Sequence, residues 1–168
     1  MGEEPGAAEA ENPSVRRLGL IAAGVIAMTA LALVLATSGR AKPNLAHTCS
    51  AADRQFLEAA RTNMTAMQLW SEQYQSGDAS DEDVADQAQT AVKIMRGTGP
   101  TDWSLRQTQR LVIGMLSEYA KAIQAHHKHR DAGPHMYRAY GLANFAHTVL
   151  TRSQRPLSKL GCDVSPLL

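Results

Sequence analysis

The chain has 168 residues, 17 lysines and arginines against 16 acids, a formal net charge of +1, two cysteines and 5% aromatics. That leaves room for one domain of ordinary size, and alanine-rich, aromatic-poor composition favours closely packed helices over strands. A charge this close to balanced gives no electrostatic footprint for nucleic acid, no nucleic-acid motif occurs, and no such partner is expected.

Residues 1–17 carry Pro5, Pro13 and four glutamates (Glu3, Glu4, Glu9, Glu11) before Arg16-Arg17. Such a segment cannot bury a core and reads as a disordered tail. Leu18 to Thr37 follows, an unbroken run without a charged residue. As a helix it extends roughly 30 Å, the thickness of a bilayer's hydrocarbon core. A cleaved secretory signal has a shorter apolar region, so the run reads as a signal-anchor, a single transmembrane helix. Cleavage near Ala36-Thr37-Ser38 is the competing reading. Gly19, Ala23, Ala27 and Ala30 form a stripe of small residues, a candidate self-association face, although alanine is frequent throughout the chain. Residues 38–48 include Gly39 and Pro43 and read as a linker.

Four amphipathic helices are expected beyond the linker. Ser50 can cap the first, with Asp53 as the acidic partner of a capping-box-like start. Phe56, Leu57, Ala60, Met64, Met67, Trp70 and Tyr74 recur at helical spacing until Gly77 stops the helix. The second runs from about Ser80 to Arg96 and buries Val84, Ala88, Val92 and Met95. The third opens at Thr101, ends near His129 and turns Leu105, Val112, Met115, Tyr119, Ala122 and Ile123 inward. After Gly133-Pro134 the fourth runs from about His135 to Arg155, with Met136, Tyr140, Ala143, His147 and Leu150 as its stripe. Leu142, Phe145 and Val149 widen that apolar surface, and Pro156 ends the helix. No segment alternates like a strand. The fold expected is all-α: an N-terminal single transmembrane helix followed by an antiparallel four-helix bundle over 49–163, with a C-terminal tail at 164–168.

Up-down-up-down topology makes a checkable statement about the cysteines. The start of the first helix and the end of the fourth fall at one end, where Cys49 and Cys162 lie. A disulfide there would close a long loop, stabilising the fold by at most about 4 kcal/mol in the chain-entropy model. It also implies an oxidising compartment. Arg16 and Arg17 on one flank of the apolar run nearly balance Arg40 and Lys42 on the other, so the positive-inside count does not decide orientation. The cysteines do: tail in the cytoplasm, bundle extracytoplasmic, the stapled end near the bilayer.

Polar side chains of functional type gather at the opposite, distal end. His126, His127, His129 and His135 surround the third loop, and Asp78, Asp81, Glu82 and Asp83 the first. His126 and His129 are three apart on a helix, so with His135 or Asp81 they are candidate metal ligands, or histidines for a pH-responsive contact. Helix-dipole complementation explains both clusters without a ligand. His147, beside the apolar stripe, fits a hydrogen-bonded structural histidine. Asp102-Trp103 fits either a recognition feature or core. No nucleophile elbow, phosphate loop, paired-carboxylate motif or cofactor signature occurs, and no catalytic residue or cofactor is expected. The leading expectation is a non-enzymatic, single-pass protein of the cell membrane, acting by protein–protein interaction as an accessory or assembly subunit of an envelope complex. The alternative is an extracytoplasmic metal or small-ligand binder or sensor built on the distal His/Asp cluster.

Overall fold

The computed structural model describes residues 49–168. The tail at 1–17, the apolar run at 18–37 with its small-residue stripe, and the linker at 38–48 lie outside the described residues. Four helices follow in order: α1 (Ala51–Ser76), α2 (Asp81–Arg96), α3 (Trp103–His127) and α4 (Gly133–Lys159), then a 3₁₀ turn at Ser165–Leu167. Among the described residues there is no strand, and no helix is long and apolar enough to cross a membrane.

The helix boundaries follow from local chemistry. Ser50 caps α1, its hydroxyl accepting the amide of Asp53 at 3.0 Å. The reciprocal capping box is at α2, where Ser80 accepts the Asp83 amide and the Asp83 carboxylate accepts the Ser80 amide. The Ser80 hydroxyl and the Ser80 amide, both donating to the Asp83 carboxylate, hold that carboxyl below its ordinary value. Gly77 ends α1 at φ 84°, a left-handed conformation that glycine alone adopts without cost. Gly133 and Pro134 do not precede α4 but form its first turn, where proline's missing N–H is harmless. Pro156 was the expected stop, yet α4 runs on through it to Lys159. One helical bond is lost there, but φ is already helical and the next residue, Leu157, is deeply buried. Core packing carries the last turn past the proline.

Cross-helix pairs fix the relative directions. His135 meets Glu118 and Leu142 faces Gly114, so α4 runs antiparallel to α3. Tyr74 meets His126 and Ser50 meets Thr101, so α1 and α3 run parallel. Cys49 and Cys162 are disulfide-bonded with their Cα atoms 5.2 Å apart, joining the start of α1 to the chain just beyond α4. Both sulfurs lie in the core.

Most of the expected core is in place. Phe56, Ala60, Met64 and Met67, the whole named stripes of α2 and α3, and Met136, Ala143 and Leu150 are buried. Three α4 positions differ: Tyr140, His147 and Phe145 are exposed. The inward face of α4 is narrower than its apolar surface, and alanines (Ala139, Ala143, Ala146) hold its centre. Residues 164–168 are not a loose tail. Val164 and Leu167 are buried, because the disulfide turns this apolar segment back onto α1 and α4.

The loop between α2 and α3 is pinned by Asp53, only 4% exposed. Its carboxylate accepts the amides of Thr101 (2.6 Å) and Asp102 (3.0 Å) and the hydroxyls of Thr101 (2.8 Å) and Ser50 (2.6 Å). Burial would raise the Asp53 carboxyl, but these four bonds to the charged form outweigh it and hold it below its ordinary value.

Candidate functional site

α1 packs on α2, α2 on α3 and α3 on α4, but no α1 backbone position approaches α4. The disulfide and the 3₁₀ turn connect these two helices at the stapled end, and beyond that their buried side chains line a narrow apolar cleft. Its cavity volume is only about 30 Å³, room for little more than a water, with α3 as its floor. Ala60 and Met64 form one wall, Val112 and Met115 the floor, Ala143, Ala146 and Leu150 the other wall, and Leu167 lies against the stapled end. A second depression of about 10 Å³ shares Met64 and Met115 and continues past Met67 to Ser71 and Tyr119. Apart from His147 at the edge, no ionisable residue lines the first cleft. Small alanines on α4 and flexible methionines on α1 and α3 make it shallow, apolar and adaptable.

One buried polar atom in the cleft is unsatisfied. No hydrogen bond of ordinary geometry reaches the Tyr119 hydroxyl, although it is fully enclosed. Burial pushes this phenol above its ordinary value, offset in part by the neighbouring Ser71 hydroxyl. His147 makes no hydrogen bond among the described residues, so it is a rim residue rather than a structural one.

On its outer surface α4 displays aromatic side chains. Tyr137 is 80% exposed and Tyr140 53%, and seven residues beyond Tyr140 on the same helical face lies His147. Phe145, on another face of α4, is 65% exposed. Three large apolar or aromatic side chains in water on one helix exceed what a solvated helix face needs. For Tyr140 and Phe145 the sequence pattern concealed this, because both fit the expected apolar surface of the helix.

The distal polar residues sort into two separate groups. His126 Nδ1 lies 3.1 Å from Asp81 Oδ2 and 3.3 Å from the Tyr74 hydroxyl, with His127 Nδ1 3.8 Å from the same carboxylate. Burial, with the Asp81 carboxylate beside it, pushes the Tyr74 phenol well up. His135 instead bonds Glu118 at 2.8 Å, and Lys121 bonds the other oxygen of that carboxylate at 2.6 Å. Those bonds from His135 and Lys121 hold the Glu118 carboxyl below its ordinary value. His129 stands in the loop at φ 52°, away from both groups. Of the four candidate ligands, His126 and Asp81 meet, while His135 and His129 do not join them. Among the described residues no three histidine, cysteine or acidic side chains are grouped to hold a metal ion. Asn63, which with Met64 and Thr65 spells an Asn-x-Thr glycosylation sequon, is buried and donates to the Ala59 carbonyl at 2.7 Å, so its amide is committed within the fold.

Comparison of the chain with models of known protein families, with curated proteins and with solved structures finds no match.

Proposed function

We propose that this is a single-pass, membrane-anchored protein whose extracytoplasmic helical bundle works by contact with another protein of the cell envelope, as an accessory or assembly subunit. The exposed aromatic surface of α4 carries this reading: Tyr137, Tyr140 and Phe145 stand in solvent, on the helix whose His147 edges the apolar crevice against α1. Exposed aromatic side chains are the usual anchors of protein interfaces. The anchor rests on the uncharged run at 18–37, and the outside orientation on the cysteine pair, which persists in oxidising compartments. Contact rather than catalysis is favoured because the cleft lining offers one histidine and no partner for it.

A photo-crosslinking residue placed at Tyr140 in the intact membrane tests this. The expected result is one discrete adduct that is absent when the same residue replaces Gln89, an exposed position on α2. Equal, diffuse labelling from both positions would remove the proposal. An adduct of twice the chain's mass would redirect it to self-association.

A further inference from the structure

The ends of the bundle carry opposite charge. Consider the five terminal residues of each helix and the adjoining segments. At the stapled end these hold six basic side chains, Arg54, Lys93, Arg96, Arg106, Arg155 and Lys159, against three acids. At the distal end they hold six acids against two basic side chains, Lys128 and Arg130. The whole chain is near neutral, so this asymmetry exists only because the fold gathers residues that are scattered in sequence.

Among the described residues, none of the three acids at the stapled end forms an ion pair with the basic ones, and a net positive charge remains there. Asp53 is buried under four hydrogen bonds, Asp102 caps α3 through the Ser104 and Leu105 amides, and Asp163 accepts the Ser165 amide and hydroxyl. The six basic side chains are all exposed, and none forms an ion pair among the described residues. Beside them stand two apolar side chains in solvent, Trp103 at 67% and Ile94 at 46% exposure. Tryptophan and basic residues together at one end match the composition of a membrane–water interface. The same end continues into the linker, since the chain outside the described residues joins at Cys49. Eleven linker residues span at most roughly 40 Å when fully extended.

We infer that the stapled end of the bundle is a docking face for the headgroups of an anionic lipid bilayer, with Trp103 and Ile94 entering the interface and the six basic side chains meeting lipid charge. This rests on the anchor reading for its proximity, not for its chemistry. Docking would hold the bundle upright, with the acidic end turned away from a surface that repels it. Each lysine or arginine near such a surface shifts the docked-to-undocked ratio by roughly fivefold.

The test uses the full chain in vesicles of phosphatidylcholine alone or of equal parts phosphatidylcholine and phosphatidylglycerol, with brominated lipids as quenchers. Trp103→Phe, at an exposed position, reports the background from Trp70. The expected result is flotation with both vesicle types and Trp103 quenching only with phosphatidylglycerol. That quenching should disappear in 1 M salt, where the screening length falls to about 3 Å. Arg96→Gln and Arg155→Gln should each lower the docked ratio roughly fivefold while leaving flotation intact. Flotation with Trp103 unquenched, or quenched equally in both lipids, overturns the docking face and leaves the anchor standing. Failure to float with phosphatidylcholine removes the anchor. In that case the docking face stands if phosphatidylglycerol vesicles still bind the chain with Trp103 quenched, and falls otherwise.

Discussion

Replacing Asp53 with alanine removes the acceptor on which the α2–α3 loop hangs. The Thr101 and Asp102 amides and the Thr101 hydroxyl lose their partner, at present 2.6 to 3.0 Å away. A polar group left unpaired in the interior costs about 1–3 kcal/mol. The hydroxyl can rotate toward Ser50, 2.9 Å away, so the two amides dominate. Water entering from the exposed side of Thr101 offsets part of the loss, giving about 3 kcal/mol in all. Asp53→Asn, which keeps one acceptor oxygen but faces the remaining donors with an amide, should fall between. Because the folded carboxyl lies below its ordinary value of 3.8, its contribution is present above that value. It fades as pH falls through the lower, folded value. Urea unfolding of the full chain in a non-ionic detergent, followed by circular dichroism from pH 7 down to pH 2, measures both. Wild type should lose stability more steeply in acid than the alanine variant. A cost under about 0.5 kcal/mol at pH 7 with parallel acid limbs would refute the reasoning, since a solvated surface carboxylate behaves that way.

Reducing the disulfide, or replacing both cysteines with serine, removes a crosslink across 113 residues and should cost up to about 4–5 kcal/mol by thermal melting. With no close backbone approach between α1 and α4, hydrogen exchange should quicken first over the start of α1 and residues 160–168; uniform quickening along all helices would argue against this. Leu167→Ala should cost about 2 kcal/mol, at the low end for a buried leucine, because its site borders the narrow cleft. No change in melting temperature would mean that the 3₁₀ turn is not part of the core. Gly77→Ala places a Cβ on a residue at φ 84° and should cost about 1 kcal/mol even though the space around it is empty. A neutral result would require the turn to adopt another conformation.

The helices were legible in the sequence because their signals are local: Ser50, Ser80 and Gly77 mark ends that backbone chemistry alone enforces. The cysteine pairing was legible too, since four helices in alternation bring both ends of the domain together. What stayed hidden depends on which neighbours a helix acquires. Tyr140 and His147 have the spacing of core residues yet are exposed, because alanines hold the centre of a narrower inward face on α4. Asp53 fits a helix cap by sequence, and only the fold shows it receiving the amides of Thr101 and Asp102, far along the chain. Similarly, His126 and His135 lie at the same end of the bundle but point at different acids, Asp81 and Glu118, which spacing along one helix could not show. The charge separation between the two ends appears in no window of the sequence, because each end is assembled from separate segments.

An extracytoplasmic, disulfide-stapled bundle is tested most directly by thiol labelling in intact cells. A membrane-impermeant maleimide would be applied with and without prior treatment by an impermeant reductant, and the mass shift read at Cys49 and Cys162. Labelling of both cysteines only after reduction is the predicted result. Labelling without reduction, and only once the cells are broken open, would contradict it by placing free thiols on the cytoplasmic side.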